Sequence, residues 1–345
     1  MLRINIVGSG VVGSATGAGF AMHGHEVQFV DTSPARIAVL RSRGFRAALP
    51  SQVDWAAAYM SMISVNTPTD DQGVDLSAVR AAIRTLGQGL AESTDPHVVV
   101  VRSTVPPCTT RDLIRPLLEA ASGRRVGSNL GLAMNPEFLR QRSADDDFRR
   151  PRLTVFGTVG EHEASLLRSL YEPFGAPIIA TDVTTAEVIK YAHNLYNATK
   201  ISFFNEFHVV CEELGIDSRT IGEVVSLSAE GMWRPQYGTR GGRPYDGACL
   251  PKDTLGFLSF AQSLGIQMPL LQATIAVNES MEWCSRLNVH AVAQAKNPDQ
   301  RAHLENGTGP QPSDAGIPGA RRRRSVRWVP RRRWPVLRRG RTQTA

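Results

Sequence analysis

Leu2-Arg3-Ile4-Asn5-Ile6-Val7-Gly8-Ser9-Gly10-Val11-Val12-Gly13 decides the fold of this chain. Residues 2–7 are apolar except for Arg3 and Asn5, which predicts a buried strand. A Gly-x-Gly-x-x-Gly turn follows with no spacer, and the small residues from Ala15 to Met22 predict a closely packed helix. His25 to Val30 reads as a second strand and ends in Asp31. Strand, glycine turn, helix, strand and acid in that order predict a doubly wound Rossmann sheet.

Each part of that order has a job. The glycines allow a tight turn and close approach to a pyrophosphate, and the helix N-terminus holds the phosphates. Gly8, Gly10, Val11, Val12 and Gly13 are therefore the expected dinucleotide contacts. Asp31 stands where a carboxylate accepts from the adenosine ribose 2′-OH and repels a 2′-phosphate, so the expected cofactor is NAD. Arg36, five residues on, either covers the adenine end or is an ordinary solvated helix residue.

Further strands are expected at Tyr59–Val65, His97–Val101, Leu130–Met134, Arg152–Gly157 and Pro177–Thr181, with a helix over Glu161–Glu172. Ligands of such sheets sit beyond the carboxyl ends of the strands. Asn66-Thr67-Pro68-Thr69 and Ser103-Thr104-Val105-Pro106-Pro107 end two of them and should face the cofactor, unless they merely cap loops. Asn135-Pro136-Glu137-Phe138-Leu139-Arg140-Gln141 ends another with a carboxylate.

Thr184 to Leu214 predicts one long helix, apolar almost all round and so expected in a core or a subunit interface. Glu187, Lys190, Asn194 and Asn197 fall near one of its faces, which predicts a lined cleft. A short helix is expected over Ile216–Leu227, then a Gly- and Arg-rich loop from Trp233 to Gly247 that contains Arg240 and leads to Cys249. Pro251 suits the first turn of a helix. A thiol just before that turn faces unpaired N–H groups that favour the thiolate, and Asp253 lies one turn on. Taken alone, Cys249 reads more simply as a small packed hydrophobe.

Composition narrows the class. Cys108, Cys211, Cys249 and Cys284 are widely spaced, with no CxxC pair, which argues against zinc or a disulfide scaffold and fits a reducing cytoplasm. No leader pattern and no membrane-length apolar run is read. The net charge of +7 is local: residues 321–345 hold eleven of the 39 basic residues, leaving 28 basic against 32 acidic elsewhere.

In order along the chain, these motifs with Glu187 to Asn194, Asn205-Glu206 and Cys249-Leu250-Pro251-Lys252-Asp253 resemble the UDP-glucose/GDP-mannose dehydrogenase family. The resemblance spans about Leu2 to Leu287. It implies an NAD-binding Rossmann domain over 1–183, an all-α dimerisation domain over 184–290, and oxidation of a sugar C6 alcohol to a carboxylate with two NAD. UDP-glucose is the leading substrate it implies, with GDP-mannose and UDP-N-acetylmannosamine as alternatives. By the same resemblance Cys249 is the nucleophile and Lys190 steadies the oxyanion. Asn194 and Asp253 orient the thiohemiacetal oxygen and the water, with Thr104 and Glu137 near the water and the first hydride transfer. Thr67, Pro68, Ser103, Thr104 and Gln141 would meet the cofactor. Glu137, Phe138, Leu139, Lys190, Asn194, Arg240, Tyr245, Asp246 and Gly247 would meet the sugar.

Three positions depart from the family pattern: Cys108 replaces a Gly, Gln141 a Glu, and Tyr245-Asp246-Gly247-Ala248 a Phe-Gly-Gly-Ser. The family's C-terminal nucleotide-binding domain is not recognised, so weak activity or an NAD-binding remnant is also expected. The stretch 291–345 instead reads as a disordered basic tail. Its Arg clusters with Trp328 and Trp334 suit nucleic acid, but their abrupt, Lys-free onset favours out-of-frame translation. The sequence thus predicts a cytoplasmic homodimer acting on a nucleotide sugar, with no metal, membrane or nucleic-acid partner.

Overall fold

Strand β1 (Arg3–Val7), buried at every residue but Arg3, stands inside an eight-stranded sheet. The structure, a computed structural model, describes residues 1–294 other than 71, 72, 240 and 248. The expected disordered tail lies outside them, except that the last helix extends to Gln294. The described chain packs as two units, Met1–Ser218 and Arg219 onward.

In the first unit β1 is followed by α1 (Val11–Met22), β2 (Glu26–Val30), α2 (Pro34–Ser42), β3 (Arg46–Ala48) and β4 (Met60–Ile63). A hairpin of β5 (Thr69–Asp70) and β6 (Gly73–Val74) precedes α3 (Ser77–Gly89) and β7 (His97–Val101). A π-helical turn (Thr110–Ile114) opens α4 (Arg115–Ser122), and β8 (Leu130–Met134) follows. Then come α5 (Ala144–Arg149), β9 (Thr154–Thr158), α6 (Glu161–Tyr171), β10 (Ile178–Thr181) and α7 (Val183–Leu214).

The sheet order is β10-β9-β8-β7-β4-β1-β2-β3, parallel throughout except between β8 and β9. The six strands from β8 to β3 form the doubly wound unit that the glycine turn predicted. The chain leaves β8 and returns as β9 from the same edge, with only the six-residue α5 between, and a return without a crossover is antiparallel. In the middle of the sheet both faces are buried, so Val98–Val101 of β7 and Leu130–Met134 of β8 are apolar without a break. Val98 and Val100 of β7 pack with Phe20, Phe29 and Phe156, while Val99 and Val101 pack with Ile83, Leu86 and Leu132.

The glycine turn works by contact. Gly8 has φ 91°, and a Cβ there would lie 2.6 Å from the Ser64 carbonyl oxygen. A Cβ on Gly13 would overlap the Gly8 carbonyl oxygen. Cys108, where the family pattern has Gly, is the only non-glycine among the described residues with positive φ, at 72°. A β-carbon in that region costs about 1–2 kcal/mol.

At the opposite edge from the strand ends that carry the motifs, His97 is buried between the Ala58 carbonyl (2.8 Å) and the Ser61 hydroxyl (3.0 Å). Burial lowers its pKa to about 4, although the Ala58 carbonyl pulls the other way. Since the unfolded chain takes up this proton near pH 6.5, stability is full above that pH and drains as pH falls toward 4. The loss should reach about 3 kcal/mol, because each tenfold difference in proton affinity between the folded and unfolded chain is worth about 1.4 kcal/mol. Urea midpoints between pH 7 and 4 check this, and a His97→Gln variant should show a shallower slope. Equal slopes would sink the assignment.

Helix α7, 32 residues long, matches its expected span, and within a single chain only part of it is buried. Asp182 caps it by accepting from Thr184 N–H and Thr185 N–H, both at 2.9 Å. Val183, Ala186, Glu187 and Lys190 are buried, whereas Leu195, Tyr196, Ile201, Phe203 and Val209 are 42–62% exposed. The all-round apolar pattern therefore marks a helix buried at its first turns and again at Val210 and Cys211, with a largely bare apolar stretch between them. No described helix is long and apolar enough to cross a membrane.

The second unit begins one residue into α8 (Ser218–Ser228) and holds α9 (Glu230–Trp233), α10 (Leu250–Ser263) and α11 (Pro269–Gln294), with no strand among its described residues.

Candidate active site

Beyond the carboxyl ends of β1, β2 and β4 lies a cavity of about 400 Å³, bordered by Gly8, Ser9, Gly10, Asp31, Arg36, Trp55 and Asn66 among others. Asp31 Oδ2 accepts from the backbone N–H (2.8 Å) and the hydroxyl of Ser9, and Oδ1 accepts from Ser33 N–H (2.9 Å). Burial acts to raise the Asp31 pKa, but the Ser9 and Ser33 bonds and the Arg36 charge outweigh it and hold the carboxyl below its usual value. Arg36 donates Nη1 to the Ser9 carbonyl oxygen at 3.0 Å. Its guanidinium thus braces the glycine turn, a contact that neither expected role for Arg36 included. Gly10 caps α1 without a side-chain bond, leaving the first-turn N–H groups to a ligand. Open helix-end donors beside an ionised carboxylate fit a dinucleotide's pyrophosphate and ribose.

Val11 is exposed and Val12 half-buried at the start of α1, with Gly13 buried against Gly8. Thr67 turns its hydroxyl to the Thr104 carbonyl oxygen at 2.8 Å, joining the loops after β4 and β7. Ser103 donates its hydroxyl to the Val65 carbonyl oxygen at 2.6 Å. Pro68 and Gln141 are exposed. The Thr-rich strand ends therefore bind each other, while Ser64, Val65 and Asn66 border the cavity.

The second cluster joins β8 to α7. Lys190 Nζ donates to Glu137 Oε1 at 2.8 Å and to the Glu137 carbonyl oxygen at 2.6 Å, with the lysine buried and the glutamate mostly so. The ammonium also stands 5.7 Å from the centroid of Phe138. Glu137 Oε2 accepts from Leu139 N–H at 2.7 Å, which turns the loop back on itself. The expected four-residue polar stripe of α7 is not one lining. Glu187 and Lys190 are buried with separate partners, while Asn194 and Asn197 are exposed. An exposed Asn194 is a turn further out than the buried ammonium.

Sequence reasoning passed over the residues behind this pair. Arg102, buried at the end of β7, donates Nη1 to Asn135 Oδ1 and to the Tyr171 hydroxyl oxygen (2.9 Å). Asn135 in turn donates to the Val155 carbonyl oxygen at 2.6 Å, so the residue two before Glu137 is fixed on both sides. His193 packs against Phe138 at 4.8 Å; burial and then the Lys190 charge lower its pKa, with Glu137 opposing. Its position one turn after Lys190 was the available signal. A cavity of about 800 Å³ is bordered by Glu137, Phe138, Leu139, His193 and Asn197.

In the second unit Cys249 is the exposed N-cap of α10, and Pro251 stands in the first turn. Its carbonyl oxygen accepts from Asp253 N–H at 2.8 Å, which places Asp253 one turn on, where it pairs with Lys252 at the surface. Tyr245 is clamped by Asn278, whose Oδ1 accepts from Tyr245 N–H (2.6 Å) and whose Nδ2 donates to its carbonyl oxygen (3.1 Å). Asp246 and Gly247 are exposed beside it. Arg240 lies outside the described residues.

The chain is similar to known proteins. Residues 45–175 match the model for the NAD-binding domain of the UDP-glucose/GDP-mannose dehydrogenase family, and residues 184–280 match its central domain. Residues 4–77 also match the ketopantoate reductase PanE/ApbA model, over the glycine turn. GDP-mannose 6-dehydrogenase of Pseudomonas putida is 35% identical over 300 residues, 81% of this chain and 68% of that protein. UDP-glucose 6-dehydrogenase of Haloferax volcanii is also 35% identical, over 81% of this chain and 70% of its own. The solved ternary complex of GDP-mannose dehydrogenase from Pseudomonas aeruginosa superposes with a TM-score of 0.76 at 32% identity, covering 81% of this chain and 69% of that one. NAD is the cofactor of this oxidoreductase fold, and the chain belongs to the UDP-glucose/GDP-mannose dehydrogenase family.

Proposed function

We propose that the chain oxidises the C6 alcohol of a nucleotide sugar to a carboxylate with two NAD per sugar. The observation that carries this reading is the buried Lys190–Glu137 pair beyond the strand ends of an NAD-binding sheet. NAD, when bound, accepts a hydride in each of the two oxidations. Gly8, Gly10, Val11, Val12 and Gly13 would hold its pyrophosphate and Asp31 its ribose, with Thr67, Pro68, Ser103, Thr104 and Gln141 as further cofactor contacts.

The Cys249 thiolate adds to the carbon of the first-formed aldehyde, and the carbonyl oxygen takes a proton to complete a thiohemiacetal. Loss of that proton with a hydride leaves a thioester, which water cleaves to the carboxylate, returning the thiol. Lys190 supports the oxygen while it carries negative charge. Asn194 and Asp253 orient that oxygen and the water; Glu137 and Thr104 stand by the water and the first oxidation. Phe138, Leu139, Arg240, Tyr245, Asp246 and Gly247 bound the sugar. The bare apolar row of α7 supports pairing of two copies across that helix.

Relatives at the same 35% identity are named for GDP-mannose and for UDP-glucose, so both sugars stand as candidates. The test is NADH formation with a panel of nucleotide sugars, beside Cys249→Ser. Two NADH per sugar, lost in the variant, would establish the thioester route and name the sugar. Silence across the panel with NAD binding intact would leave a cofactor-binding protein without this activity.

A further inference from the structure

Glu187 is fully buried, one helical turn before Lys190. Its carboxylate is spent on the backbone of another loop: Oε2 accepts from Cys108 N–H at 2.6 Å and Oε1 from Thr110 N–H at 2.7 Å. Those two N–H groups open the π-helical turn, and Cys108 is the residue held at left-handed φ. A carboxylate gripping two N–H groups fixes position more tightly than apolar contact, which tolerates sliding. Four residues before Cys108 is Thr104, whose carbonyl oxygen is held by Thr67. One turn after Glu187, Lys190 grips the Glu137 loop. Two successive turns of α7 thereby tie the loops after β7 and β8, and through Thr67 the loop after β4.

We infer that Glu187 is a positioning residue that sets the distance between the Lys190 ammonium and the loop carrying Thr104. For its kinetic arm the inference rests on the dehydrogenase reading above. Packing alone could seat the root of α7, since Val183 and Ala186 are buried beside it. The carboxylate adds a defined register between a helix that supplies the cation and a strand end that faces the cofactor.

The experiment compares wild type, Glu187→Gln and the double variant Glu187→Gln/Cys108→Gly. Glutamine keeps the shape but offers one acceptor and turns an N–H₂ group toward a backbone N–H. Glycine at 108 relieves the left-handed strain, so the double variant should regain the urea midpoint that the single variant loses. Its kcat should nevertheless stay lower by on the order of 10- to 100-fold, since a misplacement near 1 Å can cost that much. NAD affinity should be unchanged in both. A second readout needs no turnover: limiting acetic anhydride followed by mass spectrometry reports access to the Lys190 amine. Acetylation of Lys190 should rise several-fold in both variants. A double variant with wild-type kcat and a protected Lys190 would overturn the inference and leave Glu187 a structural cap. If wild type oxidises no nucleotide sugar, the dehydrogenase reading fails, and Lys190 acetylation still decides this one.

Discussion

Turnover of a Lys190→Met variant should fall by about 10²–10³-fold, the usual cost of losing a donor to a developing oxyanion. The loss should appear in kcat with little change in NAD affinity, because the ammonium lies with the Glu137 loop and not in the Asp31 cavity. Methionine keeps the stem's packing on Phe138 but leaves the Glu137 carboxylate buried without its cation. Breaking a buried pair from one side costs about 3–5 kcal/mol. Removing both partners in Lys190→Met/Glu137→Leu should recover part of that stability and none of the turnover. NADH formation and urea unfolding read the two effects separately. A Lys190→Met protein with wild-type kcat would remove this cation from the chemistry.

A Gly13→Ala variant should lose NAD binding altogether and about 3 kcal/mol of stability, the upper range for an overpacked site. The added methyl meets the Gly8 carbonyl, and backbone cannot swing aside as a flexible side chain can. Either α1 moves away from β1 or the Gly8 turn unwinds, and each displaces the donors meant for the pyrophosphate. Calorimetric titration with NAD, with thermal unfolding, reads both consequences. Binding at wild-type affinity would show that the turn adapts and that the contact is not needed.

The sheet was legible because its rules are local. A buried parallel strand is apolar at every position, so Val98–Val101 and Leu130–Met134 announced themselves, and the glycine spacing fixed what followed β1. The reversal of β9 was not legible, since an antiparallel return depends on a short connection staying at one edge of the sheet. β3 is three residues long and α5 six, too short for a periodic pattern. Lys190 and Glu137 were both named from their motifs, yet their bond joins residues 53 apart. The stripe on α7 shows the limit of helical spacing. It gave the correct face for Glu187 and Lys190 but not the point at which the helix leaves the core, which depends on where the sheet ends.

The Ser9–Asp31–Arg36 chain of bonds has an evolutionary consequence. Reversing cofactor choice in a nucleotide fold is often pictured as the loss of one acidic residue. Here Asp31 also accepts from the N–H and the hydroxyl of Ser9, and Arg36 holds the Ser9 carbonyl. Deleting the carboxylate alone would free the serine and slacken the arginine's anchor at the very moment a 2′-phosphate needed a fixed cation. A lineage could cross to the phosphorylated coenzyme only by changing several of these positions together, so its ancestral preference is guarded by mutual dependence as much as by charge.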